Sequence, residues 1–149
     1  MGRIMGLDFG TKTVGVALTD PMRLIVSPEE TIVRDKENKI RPTLRRITEL
    51  AAEREVDFIV LGHPLNMDDT AGERAKKTEE FAELLRRRFG ELGQDMEIIL
   101  WDERLSTVAA DEVLELSGVK SRERKQYIDK IAAALILEDY LENGCGRMN

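Results

Sequence analysis

One cysteine, Cys145, and one histidine, His63, stand in a chain of 149 residues. A single thiol closes no intramolecular disulfide, and neither a cysteine-rich zinc site nor a histidine-cluster metal centre can be assembled. Proline occurs only four times and no polar tract is long, which excludes disorder and fibrous repeats. With one Trp, two Tyr and four Phe, base stacking on aromatic platforms has little support. No apolar run approaches the roughly 20 residues that cross a bilayer. Met1-Gly2-Arg3 leads straight into a strand pattern rather than into a signal-peptide core. These absences predict a cytoplasmic protein in a reducing compartment.

What is present is 42% hydrophobic and 35% charged residues, enough for one domain over residues 1–149 with a core that needs no covalent staple. Net charge is −6, from 23 basic and 29 acidic residues, which in sum argues against a nucleic-acid partner. The distribution says more. Between Lys120 and Lys130, five basic residues (Lys120, Arg122, Arg124, Lys125, Lys130) face only Glu123 and Asp129. That local excess of positive charge suits phosphate contacts.

Ile4–Asp8 and Val14–Leu18 read as two strands joined by the turn Phe9-Gly10-Thr11-Lys12-Thr13. A third strand is expected near Glu30–Arg34, once Asp20-Pro21 and Ser27-Pro28 have punctuated the approach. Ile40, Leu44, Ile47 and Ala51 recur at helical spacing up to about Arg54. Phe58–Gly62 is a continuous apolar run suited to a central strand covered on both faces. Ala75, Thr78, Ala82, Leu85 and Phe89 mark a second helix, and Glu97–Asp102 another buried strand. Helical spacing resumes over Leu105, Ala109, Val113 and Leu116, and again from about Tyr127 to Leu141, with Lys120–Gln126 between them expected as an exposed loop. The pattern predicts an α/β domain, a mixed five-stranded sheet flanked by helices. Ligands in such sheets gather at the carboxyl ends of the strands, where Asp8, Gly62 and Asp102-Glu103 should lie.

Asp8 closes an otherwise apolar strand, and a carboxylate there costs several kcal/mol unless it is paired or metal-bound. A turn aspartate accepting backbone hydrogen bonds is the other reading. Asp102-Glu103 brings a second carboxylate to the same edge, or else starts a helix, where acidic residues favour the dipole. Asp129 stands beside Ile131, Ala132 and Leu135; the run Ala132-Ala133-Ala134 would let its helix lie close to the sheet, although an aspartate in a helical first turn also serves the dipole alone. Three carboxylates from separate elements repel unless cations bridge them, and an all-oxygen site suits Mg²⁺ or Mn²⁺. Two such ions about 4 Å apart activate water and stabilise the leaving oxygen in phosphodiester hydrolysis.

Four motifs occur in order: Gly6-Leu7-Asp8-Phe9-Gly10-Thr11-Lys12-Thr13-Val14-Gly15-Val16-Ala17, Gly62-His63-Pro64-Leu65-Asn66-Met67-Asp68, Asp102-Glu103-Arg104-Leu105-Ser106-Thr107, and Ile128-Asp129 with Ala132-Ala133. On these motifs the chain resembles, over nearly its whole length, the YqgF/RuvX family, described as Holliday-junction resolvase-like or pre-ribosomal-RNA nucleases. The resemblance implies an RNase H-like fold, a metal-dependent hydrolase, and Asp8, Glu103 and Asp129 as its metal-binding catalytic residues. It further implies action on structured RNA, in 5′-end processing of pre-16S ribosomal RNA, or on branched DNA. Thr13 departs from the arginine usual after the lysine, and Asp69 from the glycine usual after Met-Asp.

Lys12, Arg104, Arg122, Arg124 and Lys125 are the candidate nucleic-acid contacts, against the alternatives of a surface lysine, an Arg104–Glu103 ion pair and a solvated loop. Arg86-Arg87-Arg88 reads as helix surface, His63 as loop packing before Pro64, and Trp101 as core rather than a stacking platform. Two rivals stand beside the nuclease. The hairpin Asp8-Phe9-Gly10-Thr11 also resembles the phosphate-binding hairpin of actin-like kinases, but those clamp nucleotide between two domains. A non-catalytic binding protein is the other. Junction resolution needs paired centres on a two-fold dimer, and no dimer surface is legible, so monomer and homodimer both stay open.

Overall fold

The computed structural model describes residues 2–64, 72–102 and 121–144, with the backbone only for 121–127. Five strands form one sheet in the order β3-β2-β1-β4-β5. Strands β1 (Arg3–Phe9) and β2 (Thr13–Thr19) are antiparallel, and β3 (Val26–Val33) pairs antiparallel with β2 at the edge. Strand β4 (Val56–His63) runs parallel to β1, and β5 (Glu97–Asp102) parallel to β4. Parallel strands need helical crossovers, and α1 (Arg41–Glu53) and α2 (Glu73–Glu91) lie between β3 and β4 and between β4 and β5. Helix α3 (Ser121–Asp139) follows, continued by a π-helical turn, Tyr140–Gly144. The mixed sheet flanked by helices agrees with the reading from the sequence.

Alternation along the strands sorts the core into two layers. Met5, Leu7, Val14, Val16, Ile59 and Leu61 face α1 and α2, packing on Leu44, Ile47, Leu50, Phe81 and Leu85. Ile4, Ala17 and Val60 face α3, meeting Ala133, Ile136 and Leu137. The central strands are buried on both faces, which is why their sequences are continuously apolar rather than alternating. Helix α1 admits Pro42 because its first turn has no intrahelical N–H bond to lose. After α2, Gly93 takes φ +77°, and the Gln94 N–H donates to the Phe89 carbonyl at 2.9 Å, ending the helix in a left-handed turn that favours glycine.

Two expectations are corrected. Strand β3 begins at Val26 and ends before Arg34, so Ser27 and Pro28 lie inside it. Proline is tolerated on an edge strand, and the pairing shifts register between Val16 and Ala17, opposite Glu30 and Pro28, so one missing donor costs the ladder little. Residues 121–126 are helical, not an exposed loop. The stretch carries no apolar stripe, which hid it from a periodicity reading, yet Arg, Glu, Lys and Gln are good helix formers. The helix expected over Leu105–Leu116 lies outside the described residues, as do Met67, Asp68, Asp69 and Cys145. Among the described residues no helix is long and apolar enough to cross a membrane.

Candidate active site

Strands β1, β4 and β5 run in the same direction, so Phe9, His63 and Asp102 end at one edge of the sheet. Asp8 sits one residue before that edge and is only 6% exposed. It pairs across the ladder with Gly15 of β2. By strand alternation it shares the α3 face with Ile4 and Gly6.

Small residues let α3 approach this face. A Cβ on Gly6 would lie 2.5 Å from the Leu137 side chain and 2.9 Å from the Ala133 carbonyl. A Cβ on Gly15 would lie 1.8 Å from the carbonyl oxygen of Asp129 and 2.8 Å from the Lys130 nitrogen. The fold therefore presses the backbone of Asp129 against the ladder partner of Asp8, as the alanine run suggested. Asp129 also stands eight residues beyond Ser121, more than two turns into α3. The first-turn dipole reading of Asp129 is thereby overturned.

Lys12 is exposed in the β1–β2 turn. Arg122, Arg124 and Lys125 fall in the first turns of α3, on a helix rather than the expected loop. Glu103 and Arg104 lie outside the described residues, directly after Asp102 in the chain. Among the described residues no three carboxylate, cysteine or histidine groups cluster as a metal site. The half-buried His63 lies within 2.9 Å of Glu79 Oε2 through Nε2, which ties β4 to α2. Trp101 meets Tyr140 edge-on at 5.3 Å and donates its indole N–H to Asp139 at 2.6 Å, a packing role as expected.

Arg34 is a residue that sequence reasoning missed. Only 3% exposed, it donates from Nη2 to the carbonyls of Gly10, at 2.8 Å, and Thr11, while its main-chain N–H donates to the Lys12 carbonyl at 2.7 Å. Its guanidinium carbon stands 4.8 Å from the centroid of Phe9, which stacks in turn on Phe81 at 4.2 Å. Three successive carbonyls of the turn beside Asp8 are thus held from one residue. Burial lowers the pKa of Arg34 from the ordinary guanidinium range, and Nε and Nη1 are buried without a hydrogen-bond partner among the described residues. No sequence signal marks it, since Arg34 merely follows the apolar pair Ile32-Val33 at a strand end.

Substituting Arg34→Met should remove the turn's side-chain anchor, releasing the Gly10 and Thr11 carbonyls, while the main-chain bond to Lys12 is kept. A loss of about 2 kcal/mol is expected after the relief of the two unpartnered N–H groups is set against it, lowering Tm by roughly 4–8 °C. Thermal denaturation measures this; an unchanged Tm would show that the turn holds itself. Beside the turn, a cleft of about 230 Å³ is lined by Gly10, Thr11, Glu37, Arg74 and Lys77. Lys77 bonds Glu37 at 2.7 Å, which lowers the Glu37 pKa and raises that of Lys77.

The family model described as "RuvX: Holliday junction resolvase" matches residues 2–143. The chain belongs to the RuvX family. A relative from Lachnospira eligens is 54% identical over 95% of this chain and 97% of its own, and one from Agathobacter rectalis is 49% identical over 94% of each. Both carry the provisional name pre-16S rRNA nuclease. Among solved structures, the Thermus thermophilus RuvC in complex with a Holliday junction substrate aligns with TM-score 0.58 at 14% identity, covering 97% of both chains. The fowlpox virus Holliday junction resolvase aligns at 0.52 and 15%, covering 94% of this chain and 97% of its own. At those identities the likeness establishes the RNase H-like fold of this RuvX-family chain.

Proposed function

We propose that the protein is a cytoplasmic, divalent-metal-dependent nuclease that hydrolyses phosphodiester bonds of structured RNA, in 5′-end processing of pre-16S ribosomal RNA, from a single domain over residues 1–149. The observation that carries the reading is Asp8, a buried carboxylate at the carboxyl end of a central strand, on the face where α3 brings in Asp129. Asp8, Glu103 and Asp129 form the proposed catalytic set; the names of the relatives support the RNA substrate. Glu103 directly follows Asp102, the last residue of β5, in the chain.

An all-oxygen donor set fits Mg²⁺ or Mn²⁺ and disfavours softer ions. When bound, such ions supply Lewis acidity and an activated water, in a pair in the two-metal case. The chain's own residues supply the frame. Burial of Asp8 excludes water from one side of the centre, Arg34 holds the hairpin turn, and exposed Lys12 offers a cation to a phosphate at the same edge. Arg104, Arg122, Arg124 and Lys125 are the further proposed phosphate contacts.

The family description favours a second reading, a resolvase acting on branched DNA, which would require a two-fold homodimer rather than a monomer. An end-labelled pre-16S RNA fragment and a four-way DNA junction, incubated side by side with Mg²⁺ or Mn²⁺ and with chelator, separate the two. RNA cleavage abolished by chelator is expected. Selective cutting of the junction would install the resolvase reading, and undiminished cleavage in chelator would remove the metal from either.

A further inference from the structure

Of the eleven arginines whose side chains are described, eight place the guanidinium on an oxygen partner, among them Arg23 on Asp57, Arg46 on Glu30, Arg54 on Glu29 and Arg88 on Glu91. Arg41, Arg45 and Arg87 have no such partner among the described residues. All three line one cleft of about 390 Å³ between α1 and α2, together with Arg88. Its floor is Ile40, Leu44 and Leu84, and Glu91, bonded to Arg88 at 3.4 Å, is the acid in its lining. The triplet Arg86-Arg87-Arg88 is therefore not uniform helix surface. Arg86 turns to Glu83 and to the Ile98 carbonyl at 3.0 Å, while Arg87 turns to the cleft.

In a protein of net charge −6, with acidic side chains outnumbering basic ones, gathering unpaired guanidinium groups in one place costs repulsion and forgoes available ion pairs. Guanidinium forks match phosphate oxygens in a bidentate geometry that ammonium groups do not. The cleft is also connected to the candidate active edge. Beside the Gly10-Thr11 turn, the smaller cleft shares Phe9, Glu37 and Lys77 with a middle groove of mixed lining, where Glu37 is bonded to Lys77 and Glu80 also stands, and which in turn shares Ile40 and Leu84 with the arginine cleft. From Arg74 to Arg87 along α2, this seam runs about 20 Å.

The geometry points to the α1–α2 cleft as a second docking surface for the sugar-phosphate backbone of the RNA substrate, about 20 Å from the cleavage edge and reached along the helix seam. The proposal rests on the nuclease reading and adds to it where the flanking segment of the substrate lies. Arg41, Arg45 and Arg87 take phosphates there, while the apolar floor gives the sugars a dry surface. The cleft grips and takes no part in the chemistry, so it sets KM and salt dependence and leaves kcat alone.

The test uses the full chain, with an RNA hairpin carrying a long single-stranded extension as probe. Binding is measured in the Asp8→Asn background with Mg²⁺ over a range of salt, and cleavage with Asp8 intact. The triple variant Arg41→Gln, Arg45→Gln, Arg87→Gln should bind about tenfold or more weakly and flatten the slope of log K against log salt by about 2, at roughly 0.7 per single-strand phosphate contact. It should raise KM with kcat unchanged, and the corresponding Lys triple should regain most of the salt slope. Arg87→Glu alone, one exposed position, gives the same direction should the triple variant melt early. Unchanged affinity and slope in a chain that still cuts RNA would overturn the cleft while leaving the nuclease reading intact. Absence of nucleic-acid binding by the unsubstituted cleft would bring down both. Polyglutamate binding that is lost in the triple variant, with RNA binding unaffected, would overturn the proposal in favour of an acidic protein partner.

Discussion

Gly15→Ala should abolish cleavage and lower stability by about 3 kcal/mol or more, a Tm fall of roughly 6–12 °C. The added methyl would sit 1.8 Å from the Asp129 oxygen and 2.2 Å from its carbonyl carbon, whereas ordinary contact begins at 3.4 Å. Both atoms are main chain, so no rotamer change relieves the clash. Either α3 retreats by about 1.6 Å or β2 buckles, and a packed interior transmits such a shift rather than absorbing it. The retreat carries Asp129 away from Asp8, because Gly15 is the ladder partner of Asp8. A thermal melt and an RNA cleavage assay check both halves. If the variant melts within about 2 °C of wild type and cuts normally, α3 does not rest on Gly15 and the proposed convergence of the two aspartates fails with it.

The contrast between Gly15 and Arg34 shows which parts of the site were legible in the sequence. Asp8 was readable because a charge at the end of an apolar strand breaks a strong local pattern, and β5 was bounded as it is found, Glu97–Asp102, for the same reason. The close approach of α3 was readable from its small face, Ala132-Ala133-Ala134. Its complement on the sheet, Gly6, Gly15 and Ala17 at alternating positions, carries the same information and could have fixed the contact more closely. Arg34 was not readable, since its importance lies in three carbonyls 22 to 24 residues away, and no period or motif encodes that. Residues 121–126 and Pro28 fail for complementary reasons. A helix without an apolar stripe leaves no periodicity, and a proline that reads as a break is harmless where an edge strand shifts register. The arginine cleft also escaped, because its members come from two helices and look like ordinary solvated charge until the seam brings them together.

Asp8→Asn should reduce cleavage by about 10³-fold or more while leaving fold and RNA binding in place. Asparagine keeps the size of the side chain and one acceptor oxygen, and loses the charge. That difference discriminates between the two readings of Asp8. A turn aspartate accepting backbone N–H groups would be replaced at small cost, since the amide oxygen accepts the same bonds. A metal-binding carboxylate would not, because a neutral amide neither balances a divalent cation nor shares it with neighbouring carboxylates. A second readout is independent of turnover. A ligand that binds only the folded state raises Tm, so Mg²⁺ should raise the melting temperature of the wild type but not that of Asp8→Asn. Cleavage within a few-fold of wild type, or an equal response of both proteins to Mg²⁺, would return Asp8 to the turn and leave the buried carboxylate as a structural acceptor.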